Sequence, residues 1–277
     1  MTEEKKVIND LVYFDNLKIV QNKDYFNFSL DSVLLPSFVR INKNVKFILD
    51  ICTGNAPIPI ILSQKTNSKI IAVEIQKEVY DLAKESIKIN NIKNIDLLNM
   101  DAKKLIEKFE TDTFDIITCN PPYFKVSEFS KKNDNVIKSI ARHEILINLD
   151  EIMKISKKLL KNNGSIYLVH RTERLIEIVE KMKNNNIEPK RLQFIYPKIG
   201  EKSNIILIEG KKNGKPGLQV LPPLIVHNFD GSYTEEVLKI FGMWYYESKK
   251  LWKMWIWKSI LNTYTNRKFR RYYYKSN

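Results

Sequence analysis

The hexapeptide Cys119-Asn120-Pro121-Pro122-Tyr123-Phe124 places an amide, two prolines and aromatic rings directly after an apolar run, which packs poorly and suits chemistry. The preceding Thr113-Phe114-Asp115-Ile116-Ile117-Thr118 has the β-branched and apolar content of a buried parallel strand. Prolines cannot donate ladder hydrogen bonds, so that strand must end at the motif. With φ fixed at both prolines, the Asn120 amide and the Pro121 carbonyl are held in one geometry beside the flat face of Tyr123. Two acceptors and a ring suit a planar group that carries an amine. The plainer use of the same residues is a strand ending in a proline turn.

Three further polar residues fall where strands end. Lys46 to Ile51 reads as a buried strand containing Asp50, followed by the turn Cys52-Thr53-Gly54-Asn55-Ala56 and a helix-compatible run Ile58-Pro59-Ile60-Ile61-Leu62. A strand, a glycine-containing turn and a helix form the opening unit of a nucleotide-binding sheet, in which Gly54 allows the backbone to approach a ligand. A second strand, Lys69 to Val73, leads to Glu74, twenty-four residues after Asp50, a spacing suited to gripping the hydroxyls of a ribose. A third, Ile95 to Asn99, leads to Asp101. Any one of these acids is equally at home as a cap, but Asp50, Glu74, Asp101 and Asn120 in succession point to one ligand-binding edge.

The elements that must position them follow in order. Residues 10–21 alternate around Asp15-Asn16 as a short hairpin, and Ser29-Leu30-Asp31-Ser32 precedes a helix to about Arg40, with Asp31 either capping it or facing the ligand. Between Phe124 and Asn148 lies a polar stretch longer than an ordinary connection; it contains Arg142-His143-Glu144, either a helix start or a substrate-facing group. Helices are expected over Gln76–Asn90, Asn148–Leu160, Glu173–Met182 and Thr234–Phe241, and strands over Ser165–His170, Arg191–Tyr196 and Asn204–Glu209, with Gly164 closing a turn. His170 and His227 read as satisfied structural residues. The alternation predicts an α/β, doubly wound, Rossmann-like sheet of about seven strands with helices on both faces.

The 277 residues carry a net charge of +14, and residues 249–277 hold nine Lys or Arg and no Asp or Glu, which leaves +5 for the rest. All four tryptophans (Trp244, Trp252, Trp255, Trp257) fall within fourteen residues that overlap the start of this region, interleaved with lysines, before Arg267-Lys268-Phe269-Arg270-Arg271-Tyr272. Cations interleaved with aromatic faces suit a single-stranded nucleic acid, each base stack contributing about 1–3 kcal/mol. Docking on the domain or on an anionic membrane surface are the other uses of such a helical tail. Two cysteines, Cys52 and Cys119, and three scattered histidines lack metal-ligand spacing. With no signal-peptide core and no run of about eighteen apolar residues, the expectation is a cytoplasmic protein without a transmembrane segment or metal. The first and fourth strands of this topology are neighbours, so Cys52 and Cys119 should meet as reduced thiols.

These motifs together resemble the class I S-adenosylmethionine-dependent methyltransferases, through residues 50–56, Glu74, Asp101 and Asn120-Pro121-Pro122-Tyr123. More narrowly, Phe28-Ser29-Leu30-Asp31-Ser32-Val33-Leu34-Leu35, Arg142-His143-Glu144, Val169-His170-Arg171-Thr172-Glu173-Arg174-Leu175, Leu221-Pro222-Pro223-Leu224 and Asp230-Gly231-Ser232-Tyr233-Thr234-Glu235-Glu236 resemble the tRNA valine adenine-37 N6-methyltransferases and their Gram-positive relatives. The resemblance covers about residues 10–242 and implies S-adenosyl-L-methionine as cofactor and RNA, in particular tRNA, as partner. Asp50 and Gly54 would line the methionine end, Glu74 the ribose and Asp101 the adenine, with Asp31 beside them. Asn120, Pro121 and Tyr123 would hold the target base, and Phe124, Arg142, His143, Lys268, Arg270 and Arg271 the substrate. Residues 1–45 would cap the cofactor site, 46–242 form the methyltransferase domain and 243–277 a basic aromatic extension.

One departure stands out: Ala56-Pro57 replaces a further glycine, and a methyl there crowds the cofactor if the backbone takes positive φ. Because Asn-Pro-Pro-Tyr is shared with enzymes acting on DNA adenine and on release-factor glutamine, a protein glutamine or another RNA is an alternative substrate. A non-catalytic RNA-binding protein on the same scaffold is a third reading.

Overall fold

In the computed structural model, which describes residues 6–11, 17–23, 30–121 and 147–242, the expected strands align in one sheet. Strands β3 (Phe47–Ile51), β4 (Lys69–Glu74), β5 (Ile95–Asn99), β6 (Phe114–Cys119) and the first-paired part of β7 (Leu160–Arg171) are parallel, whereas β8 (Ile187–Lys198) and β9 (Ile205–Lys212) form an antiparallel pair beside β7. The order is β8-β9-β7-β6-β3-β4-β5.

Two short strands, β10 (Gln219–Val220) and β11 (Leu224–His227), add in parallel to the outer edge of β8, giving nine strands rather than seven. Their extended character follows from Pro222 and Pro223, which lack N–H groups and split the segment in two. Gln219 pairs with Arg191 and Leu224 with Ile195, 28 and 29 residues upstream, so no local pattern announces the pairing.

The two faces of the sheet are covered by different helices, as their periodicity requires. Helices α1 (Asp31–Phe38), α2 (Pro57–Ser63), α3 (Lys77–Ile89) and the late α7 (Glu235–Ile240) bury Leu34, Ile60, Ile61, Ala83 and Val237 on one side. Helices α4 (Leu105–Lys108), α5 (Leu149–Leu159) and α6 (Leu175–Asn184) bury Leu105, Ile152, Met153, Ile178 and Met182 on the other. Helix α5 starts with a capping box, in which Asn148 accepts from the Glu151 N–H and Glu151 from the Asn148 N–H.

The expected hairpin is present and longer than its alternation suggests: β1 (Lys6–Asp10) pairs antiparallel with β2 (Lys18–Asn22). It lies along α3, where the Val20 N–H donates to Ser86 Oγ at 2.9 Å and Lys6 pairs with Glu85. Gly164 sits inside β7 instead of closing a turn. A Cβ there would stand 2.9 Å from the Lys161 carbonyl oxygen and 3.1 Å from that of Asp115, so close backbone approach excludes a larger residue.

Candidate functional site

Strand register lines up the polar residues along the carboxyl edge of the parallel strands. Asp50 pairs with Thr118 on one side and Ala72 on the other, Ile51 with Cys119, and Glu74 with Asn99. Cys52 and Cys119 are free thiols, and the adjacency of β3 and β6 makes them neighbours. Burial, then the neighbouring Cys52 thiol, pushes the Cys119 thiol well above its ordinary value, which makes it unreactive.

Asp50 lies one residue before the end of β3 and is fully buried. The Thr118 hydroxyl donates to its Oδ1 at 2.5 Å, while Oδ2 has no hydrogen-bond partner. Burial raises its pKa to about 7, against the Thr118 and Thr53 hydroxyls, which lower it, and with a small push from the charge of Glu74. The Thr53 hydroxyl is near enough to favour the carboxylate, yet Thr53 Oγ1 makes no hydrogen bond of normal geometry and is itself buried. A half-satisfied buried carboxyl beside an unpartnered buried hydroxyl is costly in a folded protein and marks a place built for a polar ligand.

The turn after β3 is unusually wound. Cys52, Gly54 and Ala56 all take left-handed backbone, with φ of 60°, 59° and 70°. A Cβ at Gly54 would meet nothing within 4 Å, so the loop presents open backbone there. Ala56 does adopt the positive φ that a glycine would favour, at a cost of about 1–2 kcal/mol. Its methyl is fully buried in the core of the α1–α3 face. Pro57 disfavours helical backbone at the residue before it, which adds to the strain.

Glu74, buried at the end of β4, secures the loop. Its Oε2 accepts from the Gly54 N–H at 3.0 Å and its Oε1 from the Gln76 N–H at 2.9 Å. A carboxylate has about four acceptor positions, so two backbone donors leave room for ligand hydroxyls. Asp101 lies just beyond β5, where Oδ1 accepts from the Lys103 N–H at 2.9 Å and Oδ2 is 3.6 Å from Lys103 Nζ. It caps the short turn at 102–104 while standing on the same edge.

Asn120 directly follows β6 and is half-buried; Pro121 after it is buried. The Asn120 Nδ2 donates to Ser32 Oγ at 3.2 Å, across from α1. That contact directs the amide nitrogen toward the helix. Ser32 and Asp31 are buried in the first turn of α1, whose N-cap is Leu30 with no side-chain cap. Ser32→Ala removes the bond to Asn120 and should cost about 1 kcal/mol of stability, read as a small fall in melting temperature.

Tyr123, Phe124, Arg142 and His143, and the tail with Lys268, Arg270 and Arg271, lie outside the described residues. Sequence reasoning missed Ser32 as a support for Asn120, and it missed Asn55, whose buried Nδ2 donates to the Val20 carbonyl at 3.1 Å and ties the loop to β2. Both contacts join residues far apart in the chain and leave no local signal. His170 is satisfied as expected: its Nδ1 accepts from the Arg171 N–H at 2.8 Å, and burial pushes its pKa down to about 3. His227 is not; its ring stacks on Tyr233 at 4.8 Å, which buries Nδ1 without a partner.

A cavity of about 350 Å³ lies at the opposite, amino edge of the sheet, lined by Arg40, Asp115, Lys161 and Glu209 among others. Its carboxylates are already engaged, Asp115 by Lys161 and Glu209 by Arg191, Ser165 and Tyr167, and it is remote from the polar edge described above. Among the described residues no helix is long and apolar enough to cross a membrane.

A family model described as a methyltransferase domain matches residues 41–217. The chain is 25% identical over 239 residues to a Cytophaga hutchinsonii protein named tRNA1(Val) (adenine(37)-N6)-methyltransferase, covering 86% of this chain and 98% of that one. An Actinobacillus pleuropneumoniae protein of the same name is 25% identical over 84% of this chain and 95% of its own length. Among solved structures, one described as a predicted O-methyltransferase from Agrobacterium tumefaciens superposes with a TM-score of 0.61 at 17% identity, covering 76% of this chain and 95% of that one.

Proposed function

Since the chain belongs to the methyltransferase domain family, we propose that it methylates N6 of an adenine in RNA, at position 37 of a tRNA, with S-adenosyl-L-methionine as the donor. The observation that carries this reading is the likeness to tRNA adenine-37 N6-methyltransferases over nearly their whole length, combined with Asn120-Pro121 at the carboxyl edge of β6.

The chain's residues fit that cofactor by their chemistry. Asp50 Oδ2 is a buried acceptor that lacks a partner, suited to an ammonium; Glu74 has acceptor positions for ribose hydroxyls; Gly54 leaves open space beside them. Asp31 and Asp101 stand on the same edge, Asp101 as the acceptor for an adenine amine. When bound, S-adenosylmethionine supplies a methyl group bonded to a positively charged sulfur.

The target amine is a weak nucleophile because its lone pair is delocalised into the adenine ring. Asn120 Oδ1 and the Pro121 carbonyl accept its two hydrogens, which draws the nitrogen toward tetrahedral geometry and aims its lone pair for an in-line displacement. Tyr123 and Phe124 stack on the base once it leaves its neighbours, which is inexpensive for an unpaired base in an RNA loop. Arg142, His143 and the tail with Lys268, Arg270 and Arg271 contact the phosphate backbone, so the tail's contribution weakens as salt rises. Residues 1–45 then cap the cofactor and 243–277 serve RNA capture.

The test is incubation of the full chain with methyl-labelled cofactor and unmodified tRNA, followed by nucleoside analysis for N6-methyladenosine.

A further inference from the structure

Where β6 meets β7 the ladder breaks. Phe114 pairs with Leu160 and Ile116 with Ser165, so Asp115 alone faces the four residues Lys161 to Gly164, which loop out of the strand. Asn163 takes left-handed backbone there, with φ of 62°. Bulges of this kind re-aim side chains and recur beside functional sites. This one forms a wall of the cavity of about 350 Å³ at the amino edge, whose lining includes all four of its residues. Small-molecule sites occupy about 300–1,000 Å³, so the volume is sufficient for one.

The floor of the cavity is a built polar network. Strand β9 runs against the parallel strands, so its carboxyl end brings Glu209 and Lys211 to this edge. In the register Lys211 lies opposite Ser165 and Glu209 opposite Tyr167, which puts the four side chains on one face of the sheet. Glu209 Oε1 accepts from the Ser165 hydroxyl at 3.1 Å and from the Tyr167 hydroxyl at 3.2 Å, and Oε2 accepts from Arg191. The Arg40 N–H donates to the Tyr167 oxygen at 3.4 Å, which ties the chain after α1 to the same floor.

The acceptors of the cavity are already engaged within the protein. Besides Glu209, Asp115 accepts from Lys161 Nζ at 2.7 Å and from the N–H groups of Lys46 and Phe47. Asn42 Oδ1 accepts from the Asn44 N–H, and Asn162 Oδ1 from Asn213. What the lining still offers is donors. Lys161 neutralises Asp115 and Arg191 neutralises Glu209. The charges left over are the Arg40 guanidinium and the Lys211 ammonium, neither of which has an ion pair among the described residues, and the NH₂ groups of Asn42 and Asn162 line the same space. Two uncompensated cations match a phosphate monoester, which carries about −1.5 to −2 charges and three strong acceptor oxygens. The space exceeds what a bare phosphate fills, and the amide donors suit hydroxyl groups on the body that carries it.

We propose that this cavity binds the terminal phosphate of a small sugar phosphate or nucleotide, with Arg40 and Lys211 as its cations. It is a second site, on the opposite edge of the sheet from Asp50, Glu74 and Asn120, and it does not depend on which methyl donor or acceptor the carboxyl edge takes.

The test is calorimetric titration of the full chain, Arg40→Gln, Lys211→Gln and the double variant with ribose 5-phosphate, uridine 5′-monophosphate and phosphate-free ribose. Lys202→Gln, which alters an exposed lysine beyond the far end of β8, is the control. Each single variant should bind both phosphate esters about 10- to 100-fold more weakly, the loss expected for one hydrogen bond to a charged group, and the double variant more weakly still. Ribose should bind none of the chains measurably, and the affinity of the unaltered chain for the esters should fall as salt rises. Tighter binding of uridine 5′-monophosphate than of ribose 5-phosphate identifies a nucleotide as the occupant, and the reverse a sugar phosphate. Arg40 is exposed and Lys211 half-buried, so the melting temperatures of the variants should stay close to that of the unaltered chain, which separates lost contact from lost fold. No saturable binding of either ester by the unaltered chain overturns the assignment. Equal affinity of the unaltered chain and the double variant, or an equal loss in Lys202→Gln, overturns it as well.

Discussion

Asn120→Ala should lower methyl transfer by about a hundred- to a thousandfold while leaving cofactor affinity within a factor of two or so, the range expected when one preorganised polar group at the reacting centre is removed. The separation of the two effects comes from the geometry. Asn120 is supported from α1 through Ser32, whereas the turn at 52–56 is held by Glu74 on the Gly54 N–H and by Asn55 on the Val20 carbonyl, so removing the Asn120 amide leaves those bonds in place. Its half-burial and the 3.2 Å bond to Ser32 put the stability cost near 1 kcal/mol. Equilibrium titration with S-adenosylhomocysteine and single-turnover transfer, measured on the same preparation, check both halves. Equal losses in binding and turnover would mean that Asn120 supports the fold or the cofactor and not the amine.

Asp50→Asn should do the reverse: cofactor affinity should fall more than a hundredfold, since breaking a buried charge pair costs about 3–5 kcal/mol. Ligand-free stability should respond in the opposite sense, and its pH dependence identifies the cause. The folded-state pKa of Asp50 is raised to about 7 from 3.8, so the folded protein binds this proton more tightly than the unfolded chain does. The resulting contribution is fully present below about pH 4 and is lost as pH rises through 7. A shift of about three pKa units corresponds to roughly 4 kcal/mol, less once the new buried Asn NH₂, itself unpaired, is counted.

Melting temperature measured between pH 5 and 8 should therefore fall less steeply for Asp50→Asn than for the unaltered chain, with the variant gaining relative to it as pH rises. In the same window, cofactor affinity of the unaltered chain should rise with pH, because the carboxylate is the form that pairs with an ammonium. Parallel melting curves for the two chains would mean that Asp50 titrates in its ordinary range. A variant that tolerates the loss of its charge in stability but not in binding is what a site held ready for a ligand should give.

The strand ends were legible because each step of the argument is local. Thr113–Thr118 is apolar and β-branched, Pro121 and Pro122 must stop it, and the acids at 50, 74 and 101 recur at the spacing of a strand–helix–strand unit. The adjacency of Cys52 and Cys119 followed from topology, since β3 and β6 are neighbours. The positive φ at Ala56 was foreseeable from the glycine that similar chains place there, although its methyl turns out to be buried in the core.

What escaped sequence reasoning is contact across long separations. Ser32 reaches Asn120 over 88 residues and Asn55 reaches Val20 over 35, and neither pair has a periodicity or spacing that marks it. Asp101 illustrates the limit from the other side: an acid at a strand end does cap the next turn, as the plain reading of such residues holds, while sharing the edge with the ligand candidates. Strands β10 and β11 were invisible as sheet members for the same reason as Ser32, since an extended Pro-Pro segment does not name its partner.

The most direct test of adenine N6-methylation at this site is nucleoside mass spectrometry of unmodified tRNA after incubation with S-adenosylmethionine and either the full chain or Asn120→Ala, with fragment mapping of the modified position. N6-methyladenosine at position 37, formed by the full chain and absent with Asn120→Ala, is the predicted result. Methylation of a different nucleoside, or N6-methyladenosine formed equally by the two chains, would contradict it.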